Sequence, residues 1–320
     1  MPDVSLIIPF LNEEENLTEL ITQLNEYAKK QTFSIEAVMV DDGSTDKSVQ
    51  VLRGLISETV SVKLVRLSKN FGTHAALRAG LTEASGEYTM LFMADMQEPF
   101  SVIGEMYLKA CEGYDIVAAR RVSSKVSFSE RGFSGIFTSL VRKFAIRDYP
   151  KGGANNFLFN SKVKEHLKEN PESNSPLYMQ IFNIGFKKAI IEVTSDKRHK
   201  GKSKWTLSKK IKLFIDSFVS FSYMPIRAIS ILGLLMFISG ALYSLFIIIV
   251  KLTGLYEYDA GFPTFISILL VGFGLTNFSL SVIAEYLWRT FDAARKRPVY
   301  IIDTVESISV SANEKTSQNT

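Results

Sequence analysis

The sequence predicts an α/β protein, a parallel sheet with helices on both faces, followed by a hairpin of two membrane-spanning helices. Short apolar runs alternate with helical patterns over about the first 120 residues, the rhythm of βαβ units. The runs stop at polar, acidic or glycine-containing segments, as strands feeding binding loops do. Two uncharged stretches, Ala228–Val250 and Ala260–Ala284, are 23 and 25 residues long, and about 20 apolar residues span the hydrocarbon core of a bilayer.

Val4–Phe10 is apolar and β-branched, and Asn12 with Glu13, Glu14 and Glu15 introduces a helical pattern to about Lys30. Ile35–Val40 is the second strand and ends at Asp41-Asp42-Gly43-Ser44-Thr45-Asp46. Ser44 or Thr45 is placed to cap a helix over Lys47–Glu58. Val62–Leu67 is the third strand, and Thr73–Ala84 a helix with alanines and leucines at core-facing spacing. Glu87–Ala94 is the fourth strand, Ser101–Glu112 the next helix and Tyr114–Ala119 the fifth strand. Within the fourth, Tyr88–Met93 reads as a fully buried strand between Gly86 and Pro99. It stops at Asp95, with Gln97 and Glu98 close behind. A carboxylate there either opens a turn or, as an oxygen ligand, meets a hard cation bridging phosphates.

From Arg120 the rhythm breaks. Phe128–Ile146 forms a basic amphipathic helix, suited either to a membrane surface or to the core. Lys151–Asn160 is a glycine-rich turn entering a short strand, and Lys187–Thr194 a strand near the sheet edge. Lys197, Arg198, Lys200, Lys202, Lys204, Lys209, Lys210 and Lys212 then follow without an intervening acid. This run leads into Ile211–Pro225, an apolar and aromatic helix, so its lysines are placed to attract anionic lipid. Arg227 precedes the first uncharged stretch, and Arg289, Arg295, Lys296 and Arg297 follow the second. The positive-inside rule therefore expects both termini in the cytoplasm and a protein of the cell membrane. Trp205 and Trp288 are candidate interface anchors. The expected organisation is a domain over 1–205, interfacial helices over 206–227, the two spans within 228–288 and a cytosolic segment over 289–320. Its Ser, Asn and Glu content after about Asp303 predicts disorder.

The totals exclude several classes. The chain has 320 residues and 46% hydrophobic content, the excess lying in its last third. One cysteine, Cys111, excludes an internal disulfide framework. The N-terminus lacks the basic region and long apolar run of a signal peptide. His74 and His199 have no partners spaced for zinc. No G-x-G-x-x-G follows a strand, against a nicotinamide dehydrogenase. A net charge of +4 says little by itself, and no nucleic-acid partner is expected.

Five segments in this order carry a resemblance: IIPFLNEEENL (Ile7–Leu17), VDDGSTD (Val40–Asp46), LSKNFGTHAALRAGL (Leu67–Leu81), ADMQEP (Ala94–Pro99) and RHKGKSKW (Arg198–Trp205). With the ending EYLWRTFDAARKRPVY (Glu285–Tyr300), the chain resembles the family 2 inverting glycosyltransferases. Within them it is similar to the polyisoprenyl-phosphate type of dolichol-phosphate-mannose synthase and bactoprenol glucosyltransferase. The resemblance implies a GT-A fold with a mixed, mostly parallel sheet, a nucleotide-sugar donor, expected to be UDP-linked, and a divalent metal, Mg or Mn. It implies a polyprenyl phosphate acceptor, such as undecaprenyl phosphate, in work on cell-envelope glycans. Homo-oligomers are possible through the hairpin. By the same resemblance Pro9, Asn12 and Glu13 frame the nucleotide, Asp42 faces the base and Asp41 supports it. Lys69, Asn70 and Gly72 line the pocket with Ala94. Asp95 and Gln97 contact the metal, Arg121 follows the fifth strand, and Arg198, Ser203 and Lys204 belong to a basic loop over the pyrophosphate.

The chain departs from the family pattern twice. Met93 stands where the family has the first Asp of its metal motif, and Asn155 where it has the Asp called the catalytic base. Met93 cannot ligate Mg²⁺ and Asn155 cannot take a proton. A phosphate acceptor tolerates the second loss, because a phosphate monoester is already anionic at neutral pH. A sugar-hydroxyl acceptor would not, since it must shed a proton as it attacks. The alternative is a degenerate member that binds nucleotide sugar or lipid without turnover. A processive polysaccharide synthase would carry more spans and a QxxRW motif, and the sequence has neither.

Overall fold

The computed structural model describes residues 1–55, 59–121, 138–139, 141–143, 146, 149–150, 154, 156–172, 175–193, 224–253 and 261–308, without some side chains of the last two stretches or that of Arg121. The chain divides into two units, Met1–Phe214 with Pro298–Thr320, and Ile215–Arg297.

The first unit holds one eight-stranded sheet. Its strands are β1 (Val4–Phe10), β2 (Ile35–Asp41), β3 (Ser61–Leu67), β4 (Tyr88–Leu91), β5 (Ile116–Arg121), β6 (Asn156–Asn160), β7 (Lys188–Val193) and β8 (Ile302–Ile308). The helices between them are α1 (Leu17–Ala28), α2 (Ser48–Gly54), α3 (Thr73–Glu83), α4 (Ser101–Cys111), α5 (Ser161–Glu169) and α6 (Leu177–Asn183). The strand order is β7-β5-β6-β4-β1-β2-β3-β8. The first four strands are mutually parallel, as the alternating pattern requires. The sheet is nonetheless mixed, because β6 inserts antiparallel between β4 and β5. All seven residues of β1 and of β2 are buried, the near-continuous apolar signature of central strands covered on both faces.

One acid interrupts the apolar run of β2. Glu36 is buried at the amino edge of the sheet, where Ser5 Oγ donates to it at 2.5 Å and the Ser85 amide and hydroxyl each donate at 3.0 Å. Lys164, also buried, donates beside it to the carbonyls of Ala84 at 3.1 Å and Gly86 at 3.2 Å. These bonds offset the desolvation that would otherwise exclude both groups from a core.

Pro9 has a structural purpose that its apolar neighbours do not disclose. The Phe92 amide donates to the Ile7 carbonyl at 3.0 Å, so that residue of β1 faces β4, and Pro9, two residues on, faces the same way. The β1–β4 pairing ends at Ile7 opposite Leu91. Pro9 has no N–H to contribute further, and beyond it the two strands part. The sheet's order reverses there, with β2 on one side of β1 and β4 on the other, and such switch points open ligand crevices.

The segment after Asp303, expected to be disordered, is β8 as far as Ile308, paired antiparallel with β3. Composition of the whole tail concealed a two-residue alternation in which Ile302, Thr304, Glu306 and Ile308 are half-buried. Arg53 clamps Glu306 through two bonds, 2.8 Å from Nε and 2.5 Å from Nη2. Other boundaries moved less: α2 ends at Gly54 rather than Glu58, and β4 ends at Leu91.

The second unit holds α7 (Met224–Thr253) and α8 (Gly261–Ala294), of 30 and 34 residues. Thirty helical residues rise about 45 Å. Large apolar side chains such as Leu235, Phe246, Phe273, Phe278 and Leu287 are exposed along them. Counted over the described residues alone, no helix is long and apolar enough to cross a membrane; side chains inside both helices, at 237, 241 and 266 among others, fall outside that count. The expected helix over 128–146 and the interfacial segment before Met224 lie mostly or wholly outside the described residues.

α3 crosses β1 at Gly80, where a Cβ would stand 2.2 Å from Ile7 Cγ2. Gly80→Ala is expected to lower unfolding free energy by about 1–3 kcal/mol through overpacking, measured by urea denaturation of the full chain in detergent.

Candidate functional site

The carboxyl ends of β1, β2, β3 and β4 share one edge of the sheet, and their loops are laced together there. Asn12, in a left-handed conformation at φ 51°, donates its amide to Ser44 Oγ at 3.0 Å and accepts the Thr45 amide at 2.8 Å. The Glu13 amide donates to Ser48 Oγ at 2.9 Å, and Glu14 accepts the Lys47 amide at 2.9 Å. Ser44 and Thr45 therefore do not cap α2; Asp46 accepts the Ser48 amide instead, at 3.0 Å.

Asp41 and Asp42 are both buried. Asp41 accepts the Ser44 amide at 2.8 Å and lies 3.5 Å from Arg66 Nε. Asp42 reaches the other way. Its Oδ1 accepts the Phe71 amide at 2.8 Å and its Oδ2 the Gly72 amide at 3.0 Å. Burial pushes its carboxyl above the usual range, against the pull of those two amides. The segment with Lys69, Asn70 and Gly72 is thus gathered against the end of β2. Gly43 makes the approach possible: its φ is +80° and a Cβ would meet Asn70 N at 2.7 Å.

Across the switch point, Asp95 lies just past the tip of β4. It is half-buried and accepts the Gln97 amide at 3.5 Å across a turn in which Met96 takes φ 49°, a strained value for a side chain of that kind. Ala94 is buried beside it. Glu98, given no role from the sequence, is buried and accepts a bond from Asn156 Nδ2. Met93 is partly exposed, and its Sδ accepts the Tyr178 hydroxyl at 3.7 Å. Burial, then Glu98 and Asp95, push the Tyr178 phenol up. Burial, then the Arg78 guanidinium, push the His74 imidazole down to about 4.

Antiparallel pairing of β6 with β5 sets Asn156 opposite Ala119, so β5 delivers its last residue, Arg121, to this same edge. The Arg121 side chain, Asn155, Arg198, Ser203 and Lys204 lie outside the described residues. Among the described residues no three His, Cys, Asp or Glu converge on a metal position. Asp95 and Gln97 offer oxygen donors, the chemistry a hard divalent cation accepts, with phosphate and water completing its shell.

The residues that sequence reasoning missed are Gly43, Glu98, Asn156 and Tyr178. Gly43 carried a local signal, since Asp-Gly marks a turn needing positive φ. Tyr178 carried none, because only the packing of α6 on β6 and α3 brings it there.

The arrangement is that of a Rossmann-like α/β fold whose mixed sheet changes order between β1 and β4, at an edge carrying acids and glycine turns. Residues 5–191 match Glycosyl transferase family 2, and the chain belongs to that family, as the resemblance predicted. A Bacillus subtilis (strain 168) protein described as the uncharacterized glycosyltransferase YkcC is 32% identical over 93% of this chain and 92% of its own. The undecaprenyl-phosphate 4-deoxy-4-formamido-L-arabinose transferase of Photorhabdus laumondii subsp. laumondii is 27% identical over 94% of each chain. The crystal structure of S. aureus TarS 1-349 with UDP-GlcNAc has a TM-score of 0.43 at 18% identity, covering 64% of this chain and 62% of that one.

His74 is neutral when folded and titrates near 6.5 when unfolded. The unfolded chain therefore binds more protons between about pH 6.5 and 4, and stability falls as pH drops through that window. The expected loss is about 3 kcal/mol, read from denaturation midpoints at stepped pH, and His74→Gln flattens it. Gly43→Ala is expected to displace the 69–72 segment and lower the unfolding free energy by about 1–3 kcal/mol, measured by urea denaturation.

Proposed function

We propose that the protein transfers a sugar, with inversion, from a uridine-linked nucleotide donor to a polyprenyl phosphate at the cytoplasmic face of the cell membrane. The observation that carries this reading is the sharing of one sheet edge by Asp95 and the loops bound by Asp42 and Asn12, in a family 2 chain that continues into two long, mostly apolar helices. The relatives named as undecaprenyl-phosphate transferases, matched over nearly their whole length, support the acceptor. The basic residues flanking the helices support the orientation, and the helices themselves serve as the membrane hairpin.

In this reading the nucleoside sits over β1, β2 and β3, between the Asn12 loop and the segment held by Asp42. A phosphate oxygen of the lipid attacks the anomeric carbon as the bond from that carbon to the donor diphosphate breaks. The electron pair leaves with the nucleoside diphosphate. No proton has to be removed from the nucleophile, so Asn155 suffices where an alcohol acceptor would need a base. Asp95 and Gln97 would hold a divalent cation, which when bound supplies charge stabilisation to the leaving diphosphate. Arg121, Arg198 and Lys204 add positive charge to the same end, and Ser203 a hydrogen bond. Asp41 and Pro9 act on the pocket from beneath, one by fixing the β2 loop and one by opening the crevice.

Met93, turned toward Tyr178 rather than supplying a ligand, favours a second reading: donor binding without turnover. Mass spectrometry of lipid extracts after incubation with a donor panel and undecaprenyl phosphate separates the two. Glycolipid formed with Mg²⁺ or Mn²⁺, abolished by chelation and reduced about 100-fold or more by Asp95→Asn, is the expected result. Donor binding with no glycolipid across the panel supports the second reading. Asn155→Asp is expected to raise the rate by much less than the ~100-fold a general base supplies.

A further inference from the structure

The crevice has two unlike walls. On the β1–β2–β3 side, backbone amides and carboxylates line the loops, as nucleotide recognition needs. On the β4–β6 side stand Met93, Tyr178 and His74. The Tyr178 hydroxyl donates its proton to Met93 Sδ at 3.7 Å. Its ring stacks on Phe157 at 5.3 Å and 17°, and meets the edge of His74 at 5.1 Å and 76°. Phe157 is fully buried, and His74 Nδ1 is buried with no hydrogen-bond partner among the described residues. The ring of His74 carries no charge at neutral pH, and the Tyr178 phenol keeps its proton. Sulfur and aromatic faces thus form a neutral surface, partly open at Met93.

We propose, building on the nucleotide-sugar reading above, that Met93 and Tyr178 determine donor specificity by facing the sugar, and select one that turns an N-acyl group or a deoxygenated carbon toward them. A hydroxyl facing this wall would exchange its waters for at most one bond, to the Tyr178 oxygen, whose own proton is already engaged. An acyl methyl or a bare methylene loses nothing there and gains contact with sulfur and a ring face. The choice lies at this wall because the nucleoside occupies the other half of the crevice and the diphosphate the tip at Asp95.

Calorimetry on the detergent-solubilised full chain tests this with UDP, UDP-glucose and UDP-N-acetylglucosamine. The N-acetyl donor is expected to bind at least about tenfold tighter than UDP-glucose. Met93→Gln, similar in size but able to hydrogen-bond, is expected to bring the two within about threefold by improving UDP-glucose. UDP itself should bind both proteins alike, which also reports that the variant is folded. Met93→Leu should keep the wild-type ratio. Equal affinity for the two sugars in the wild type, with UDP still bound, overturns the inference and leaves the donor reading intact. Identical ratios in the Gln and Leu variants overturn it too. Failure of UDP to bind overturns the donor reading and this inference together.

Discussion

One buried carboxylate decides the shape of the candidate site. Asp42 sits at the end of β2, yet its two oxygens are turned to the amides of Phe71 and Gly72, which belong to the loop after β3. Burial raises the cost of holding that charge, and the amides lower it again. The loop is therefore fixed by a strong but conditional bond, with no slack: Gly43 presses against Asn70 with room for hydrogen alone. Remove the carboxylate and the amides of Phe71 and Gly72, just before α3, lose the acceptor that holds them to the end of β2.

The two edges of the sheet show opposite uses of polar burial. At the amino edge, Glu36, Ser5, Ser85 and Lys164 close on each other and on backbone carbonyls, and nothing is left over for a ligand. At the carboxyl edge, the loops satisfy their own backbones while presenting Asp95 and Gln97 past the last paired residue of β4. Pro9 separates the strands at the point where that difference begins. The replacement of a carboxylate by Met93 fits this division, since the side chain joins the aromatic packing around Tyr178.

Much of this was legible in the sequence. The first five strands followed from apolar runs alternating with helical patterns, and the order of the motifs carried the family. Asp41, Asp42, Asp95 and the 69–72 loop were placed at one edge by the alternation itself, because every βαβ unit returns its strand end to the same side. What the sequence concealed was tertiary. Antiparallel β6 between β4 and β5 has no local signature, and so neither Asn156 beside Glu98 nor the direction of Asp42's bonds was visible. The strand at the chain's end was hidden by the composition of the residues around it. Ser44 and Thr45 have the chemistry of helix caps, but Asn12, distant in sequence, competes for them and wins.

The pairing of β8 with β3 has a bearing on how the protein is made. Glu306 meets Arg53 from 253 positions further along the chain, so the sheet lacks its outermost strand until β8 has left the ribosome. Both long apolar helices emerge before it does. The sheet therefore completes its edge only after the two apolar helices have been synthesised, and β3 stays an open template for pairing in the meantime. Closure of the first unit is tied in this way to the making of the second.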